Sequence, residues 1–354
     1  MVMAVPAVAA ALCCCGMVSP SGRSAGLASV RLASVRLAPL CNAVVARAPK
    51  LGRIATKMLE MPGNPFGVAV TPDGRWDLAA GGNAVVVVRN SGNAPQPAMG
   101  AFEVAFSPGG RFAFVTIAGD QKVAVFNLGR ALTAGFGPAD YIGAIPAGQS
   151  NVGIVASPGY RWLYVTSEAS SPGSRHGLLS VVNLAEAETD PARSVVSTVD
   201  AGCRPVRVVV SGDGKTVWVS ARQSNAVLAF SASRLLTDPR HALITWVRVG
   251  VQPIGLAIVN CGSQLVVADS HRFKSRYGPP SLAVVDVHAA LTGHPALVGY
   301  LRSGLDPRQL AVAPDGRDLL VGNFGSGQLE TVTLTHLPGA SGSCRDAAVA
   351  AAGR

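Results

Sequence analysis

The sequence predicts an all-β chain folded as a β-propeller of four-stranded blades, six of them visible and a seventh possible. Three observations predict it: a turn signature that recurs along the chain, strand-like runs in a constant order around each copy, and a composition suited to short strands. Of 354 residues, 49% are apolar and only 14% charged, with 40 glycines and 24 prolines. Many turn formers among many valines suit short strands joined by tight turns.

The turn signature stands at Thr71-Pro72-Asp73-Gly74-Arg75, Ser107-Pro108-Gly109-Gly110-Arg111, Ser157-Pro158-Gly159-Tyr160-Arg161, Ser211-Gly212-Asp213-Gly214-Lys215 and Ala313-Pro314-Asp315-Gly316-Arg317, with a degenerate copy at Val259–Ser263. Proline presets φ, aspartate favours a turn and glycine tolerates positive φ, so each copy reverses the chain between two strands. An alternating segment precedes it, as at Gly67–Val70 and Arg207–Val210, and a more apolar run follows, as at Phe112–Thr116 and Thr216–Ser220. Third and fourth runs complete each unit, as at Ala226–Phe230 and Ile244–Val249. Four strands per unit, at turn spacings of 36 to 54 residues, is the arithmetic of a propeller. No segment holds a 3.6-residue apolar period, which excludes a helical solenoid.

The fourth strand of a unit leads into a glycine- and proline-bearing junction: Gly202-Cys203-Arg204-Pro205, Gly250-Val251-Gln252-Pro253 and Gly304-Leu305-Asp306-Pro307. A similar junction at Gly63-Asn64-Pro65 makes Ile54–Glu60 a fourth strand with no three before it, while Leu310–Val332 supplies three strands with no fourth after them. Pairing the surplus with the deficit closes the ring and removes its open edges. A seventh blade would have to lie in residues 24–52, which carry no turn signature. The propeller is therefore placed at 51–335, after a targeting or disordered segment at 1–50 and before a disordered tail at 336–354.

These units resemble the YVTN-type β-propeller repeat, in which Ser-Pro-Asp-Gly leads into a strand ending Tyr-Val-Thr-Asn. Tyr164-Val165-Thr166-Ser167 is the nearest copy, with Val321-Gly322-Asn323 a partial one. The resemblance covers residues 53–334. It implies a propeller, more often of seven blades, and relates the chain to the propeller lactonases. It implies no particular chemistry, since members share architecture more than function.

The formal net charge of +10 is concentrated at one end. Arg23, Arg31, Arg36, Arg47, Lys50, Arg53 and Lys57 precede the first acid, Glu60, so removing these 7 from +10 leaves +3 for the remainder. That balance argues against a nucleic-acid partner. Met1–Val18 is uncharged and rich in alanine and valine, too short and weak for a transmembrane span. It reads as a signal peptide of a secreted or periplasmic protein. An organelle transit peptide, suggested by the acid-free, arginine-bearing stretch after it, and a misplaced start remain alternatives. Of seven cysteines, four precede residue 42. Cys203 stands before an inner strand and Cys261 in a turn after one. Opposite ends of a six-residue strand lie about 20 Å apart, beyond the roughly 7 Å a disulfide spans, so no Cys203–Cys261 bridge is expected.

In a propeller the face made by fourth-to-first junctions and second-to-third loops presents the ligand site. Arg204, Arg207, Arg222, Arg272, Lys274, Arg276 and Arg308 fall there, with His271, Glu103 and Glu168, and these ten are the candidate ligand-binding residues. Arginine's planar fork donates paired hydrogen bonds to carboxylate or phosphate; solvated loop charge is the competing reading. The loop His271-Arg272-Phe273-Lys274-Ser275-Arg276-Tyr277 carries the sharpest part of this signal. No His-x-His, His-Glu-x-x-His or Cys-x-x-Cys spacing occurs beyond the N-terminal cysteine run, so no metal residues are assigned. No cofactor is expected; Ca²⁺ on Glu103, Glu168 and Asp306 is the weak exception, against pairing of these carboxylates with the arginines. No Gly-x-Ser-x-Gly elbow exists, and no catalytic residue is assigned.

The reading is a monomeric, non-enzymatic scaffold that binds a protein, peptide or anionic ligand on its loop face. The alternative is a lactonase-like hydrolase with its site at the central channel. There Glu103 or Glu168 would act as base and Arg207 or His271 as the oxyanion-stabilising cation.

Overall fold

The computed structural model describes residues 41, 45, 47–50, 103–117, 122–127, 129–130, 138–273, 278–313 and 315–339, and the strand backbones within 56–96. Strand β1 (Thr56–Glu60) stands apart from the rest in sequence. Blade 1 holds β2 (Gly67–Val70), β3 (Trp76–Ala80), β4 (Val85–Arg89) and β5 (Gly92–Gln96). Blade 2 holds β6 (Val104–Phe106), β7 (Phe112–Ile117), β8 (Lys122–Asn127) and β9 (Tyr141–Ile145). Blade 3 holds β10 (Gln149–Ala156), β11 (Trp162–Ala169), β12 (His176–Asn183) and β13 (Val195–Cys203). Blade 4 runs from β14 (Pro205–Val210) through β15 (Thr216–Ala221) and β16 (Ala226–Ser231) to β17 (Leu243–Arg248). Blade 5 runs from β18 (Pro253–Val259) through β19 (Gln264–Asp269) and β20 (Ser281–Asp286) to β21 (Leu297–Arg302). Blade 6 holds β22 (Pro307–Val312), β23 (Asp318–Asn323) and β24 (Gln328–Thr333), and takes β1 as its fourth strand.

All six sheets are antiparallel and four-stranded, five of them meanders of consecutive strands, the architecture read from the turn signature. The signature forms the corner between a blade's first two strands for identifiable reasons. Ser107, Ser157 and Ser211 each accept, on the hydroxyl oxygen, the amide of the residue that opens the next strand: Phe112 at 2.9 Å, Trp162 at 3.1 Å and Thr216 at 2.9 Å. The aspartates of two corners accept the amides of Lys215 and Arg317, each at 3.0 Å. Gly109, Gly214 and Gly316 all sit at φ 70°, a conformation that costs glycine nothing.

Ring closure follows the strand count. β1 pairs antiparallel with β24 over Thr56↔Val332 to Glu60↔Gln328. The apolar side chains pack between blades rather than within them. One cluster joins Tyr164, Leu179 and Val181 of blade 3 to Val208, Val217 and Phe230 of blade 4. Another joins Val266, Leu282 and Val284 of blade 5 to Leu319, Val321 and Val332 of blade 6. The second and third strands of blades 4 and 5 are buried on both faces, so they read as valine- and leucine-rich runs rather than a strict alternation.

Described residues on either side of 51–335 contact the blades. The described residues from 41 to 339 belong to one compact unit. Cys41 is disulfide-bonded to Cys203, and Lys50 bridges to Tyr300 on the outer strand of blade 5. At the other end, Leu334–His336 form a 3-10 turn and the carbonyl of Pro338 accepts a hydrogen bond from Gln264 at 2.6 Å. Cys203 therefore bridges to Cys41 and not to Cys261, which is itself disulfide-bonded. Most of the 1–50 segment expected to be targeting or disordered, most of 24–52 and the residues beyond 339 lie outside the described residues. No helix among the described residues is long and apolar enough to cross a membrane.

Candidate functional site

The predicted loop face is assembled by a device repeated in three blades. Arg204, Gln252 and Asp306, each directly before the proline that opens an inner strand, adopt left-handed φ of 53°, 55° and 53°. That conformation is unfavourable for a residue with a Cβ. It turns each carbonyl toward its own blade's second-to-third loop, where it accepts an amide: Arg222 at 3.0 Å, Ser270 at 3.1 Å and Phe324 at 3.0 Å. Junction and loop are thereby clamped together at one end of the ring.

Just inside the junctions, one position of the inner strand faces its neighbours across the axis. It is occupied by Glu103 in blade 2, Gly153 in blade 3, Arg207 in blade 4, Gly255 in blade 5 and Gln309 in blade 6. Gly67 of β2, paired with Ala80 as Gln309 is with Gly322, holds it in blade 1. Long polar side chains and glycines thus alternate around the ring. The three polar residues bind one another: Arg207 Nε donates to Gln309 Oε1 at 2.8 Å and lies 3.6 Å from Glu103 Oε1, and Gln309 Nε2 donates to the same Glu103 oxygen at 3.4 Å. Glu103 Oε2 accepts the Ile154 amide at 2.8 Å, and Arg207 also donates to the Val152 carbonyl at 3.4 Å. Burial pushes the Glu103 carboxyl above its usual range, opposed by Arg207, the Ile154 amide and Gln309. A small apolar cluster of Val152, Val206 and Ile254 adjoins this layer.

Hydroxyls tie the layer together. Thr116, Thr166 and Ser220 each accept an inner-strand amide, from Glu103, Gly153 and Arg207, at 3.0 Å. Each then donates to the next blade, to the carbonyls of Val152 at 3.2 Å, Val206 at 2.7 Å and Ile254 at 2.7 Å. This is the work of the threonine in Tyr164-Val165-Thr166. The glycines are required because inner strands approach closely here: a Cβ on Gly153 would stand 2.3 Å from the Val206 carbonyl oxygen.

The channel mouth is different. Arg222 Nη2 donates to Glu168 Oε1 at 2.6 Å, and Arg308 donates to Asp306 Oδ2 from Nη2 at 2.6 Å and Nε at 3.1 Å. Arg272 lies in the field of both pairs. Partial burial, then the guanidiniums of Arg308 and Arg222, pull its pKa below the ordinary arginine range, while Asp306 and Glu168 push back. The Phe273 ring, 58% exposed, has Arg222 5.5 Å and Arg272 5.2 Å from its centre. Arg308 lies 3.5 Å from the centre of Phe324. Among the described residues, two buried polar atoms at the mouth have no partner, Arg222 Nε and Asp306 Oδ1. The 270–273 segment is pinned by Arg272 donating its amide to Ser270 Oγ at 3.3 Å and Phe273 donating its own to Gln252 Oε1 at 3.0 Å.

The ten candidates therefore divide. Arg222, Arg272, Arg308 and Glu168 meet at the mouth, joined by Asp306 and Phe273. Glu103 and Arg207 belong to the buried layer and engage each other. Arg204 helps build the junction through its backbone, and His271, at φ 52°, turns the loop and donates its amide to the Val251 carbonyl at 3.1 Å. Lys274 and Arg276 lie outside the described residues. The three carboxylates considered for Ca²⁺ each face an arginine, and their oxygens do not gather within reach of one ion. Two features have no short-range sequence signal. The alternation of Gly67, Gly153 and Gly255 with Glu103, Arg207 and Gln309 emerges only when inner strands are aligned on their positions. A corner of Cys41, His176 and Cys203 comes from distant parts of the chain.

The profile of the family described as "Lactonase, 7-bladed beta-propeller" matches residues 77–274. No curated protein matches the chain in sequence. Among solved structures, a chain of hydrazine synthase from Kuenenia stuttgartiensis is similar at TM-score 0.51 and 16% identity, over 79% of this chain and 97% of that one. The β-propeller domain of Cps50 (Swd1) from Myceliophteria thermophila is similar at TM-score 0.55 and 13% identity, over 80% and 99%. At these identities the likeness is one of fold. The family description gives seven blades; six four-stranded sheets are present among the described residues.

Proposed function

Since the chain belongs to the lactonase family of seven-bladed β-propellers, we propose that it uses the family scaffold to bind a small anionic ligand, a carboxylate or phosphate, at the channel mouth. The observation that carries this reading is an imbalance of charge. Three guanidiniums, Arg222 and Arg272 against Phe273 and Arg308 against Phe324, gather at the mouth with two carboxylates, and both carboxylates are already engaged by Arg222 and Arg308. Among the described residues at the mouth, Arg272 is the cation left over. A ligand carboxylate or phosphate supplies the missing charge, takes up the unpartnered Arg222 Nε, and packs an apolar part on Phe273. Calorimetric titration with gluconate and with inorganic phosphate tests this. Saturable binding that weakens at least about tenfold in Arg272→Ala supports it, a loss of about 1.4 kcal/mol. Equal affinity of parent and variant for both probes refutes it.

Family membership also favours a second reading, hydrolysis of a lactone to the hydroxycarboxylate that such a mouth would hold. Asp306 Oδ1 is the best-placed base, buried, without a partner and fixed through Oδ2 by Arg308. Glu103 and Arg207 do not suit the base and cation roles, because they are bonded to each other and to Gln309. Gluconolactone hydrolysis above the spontaneous rate, abolished in Asp306→Asn, is the expected result under this reading; no acceleration by the parent protein excludes it for that substrate.

A further inference from the structure

Away from the mouth, Cys41, His176 and Cys203 place two sulfurs and an imidazole nitrogen within 4.8 Å of one another. The cysteines are bridged, with Cα atoms 5.2 Å apart. The histidine is not needed for that bridge, yet it is held against it. Nε2 lies 3.8 Å from Cys203 Sγ, while Nδ1 is 2.7 Å from Asp200 Oδ2. Asp200 is fixed in turn, its other oxygen accepting the Gly202 amide at 2.7 Å. The Cys203 amide is fixed by Ser224 Oγ at 3.0 Å. Register explains the meeting, since His176 and Cys203 are direct partners across β12 and β13.

A carboxylate behind Nδ1 takes the N–H and leaves the Nε2 lone pair facing the sulfurs, the arrangement that orients a metal-ligating histidine. We propose that this corner is a redox-alternative metal site. Oxidised, it is the Cys41–Cys203 disulfide; reduced, it holds one zinc-class ion on two thiolates and His176 Nε2. A dithiol or phosphine reductant supplies two electrons and is itself oxidised. The S–S bond breaks, two thiols form, and the ion displaces their two protons on binding. Tetrahedral zinc, with Zn–S near 2.3 Å, parts the sulfurs to roughly 3.7 Å, a modest opening from the bridged pair. The His176 side chain is 44% exposed, which leaves a side of the site open to entry of the ion and to a fourth ligand from water. The corner thus keeps the segment around Cys41 tied to the β13–β14 junction in either redox state.

The test uses the full chain with Cys13, Cys14, Cys15, Cys261 and Cys344 replaced by serine, reduced with a phosphine without oxygen and titrated with Co²⁺. One equivalent should bind with thiolate charge-transfer and tetrahedral ligand-field absorption, and Zn²⁺ should displace it. The oxidised protein should give no such spectrum. His176→Ala and Cys203→Ser should lose it, and Asp200→Asn should weaken binding about tenfold. Thermal unfolding of the reduced protein gives a second readout: Zn²⁺ should raise Tm in the parent and not in His176→Ala, whose disulfide form folds without the metal. An unchanged cobalt spectrum in His176→Ala or Cys203→Ser, or no Tm rise with Zn²⁺ in the parent, overturns the proposal.

Discussion

Arg207 and Arg272 lie at the same end of the ring, and their surroundings are opposite. Arg207 is buried, with Glu103, Gln309 and the Val152 carbonyl as partners, so each charge and amide in its layer has an answer within the protein. Arg272 is partly exposed on a loop, beside two arginines whose carboxylates are already engaged. A complete internal network fixes a structure. An incomplete one at a surface asks for a component from outside. The contrast separates residues that hold the ring from residues that could bind, although composition and position along the repeat make them look alike.

The largest effect that could break this contrast is on stability. Arg207→Ala leaves Glu103 buried without its cation and should cost about 3–5 kcal/mol, read as a lower urea midpoint at unchanged slope. Arg272→Ala should leave that midpoint within about 0.5 kcal/mol while weakening gluconate or phosphate binding about tenfold. If Arg272→Ala destabilises as much as Arg207→Ala, the mouth is part of the framework and the division fails.

A smaller effect sharpens the account of the buried layer. Burial raises the folded pKa of Glu103 above its unfolded value, so its contribution is fully present below about pH 4 and declines as pH rises through the folded pKa. Glu103→Gln removes this titration, so the variant should gain on the parent between pH 4 and pH 7 in urea unfolding. A parent that gains on the variant over that range would show that Arg207 outweighs burial. Asp269, enclosed between blades with Oδ1 unpartnered, has its carboxyl raised well above the usual range by burial. Asp269→Asn should show the same trend.

The ring was legible because its signals are local. A serine that caps the next strand, a glycine at φ 70° and a proline at a junction each act within a few residues, and each leaves a mark in the sequence. Gly67–Val70 is β2 to the residue, and the surplus run ending at Glu60 is the strand that completes blade 6. The site was half legible. The mouth arginines were found, but Arg207 was grouped with them because which layer a side chain enters depends on one step along an inner strand. Arg308 follows Pro307 directly and reaches the mouth; Arg207 is two residues after Pro205 and enters the axis. The Cys41–His176–Cys203 corner was invisible, since its cysteines are 162 residues apart and no spacing rule reaches that far.

The described residues between 41 and 60 pass blades 3 to 6 in ascending order, although they precede all of those blades in the chain. Cys41 is bonded at the junction of blades 3 and 4, and Arg47 lines a 530 Å³ groove with Thr245–Arg248 of blade 4 and Gly293–Leu297 of blade 5. Lys50 meets Tyr300, and β1 ends the course in blade 6. β1 can be seated only after β24, far later in the chain, has emerged. A nascent chain on the ribosome must therefore carry β1 unpaired until then, and losing a few residues at β1 or at β24 should produce the same unfinished final blade.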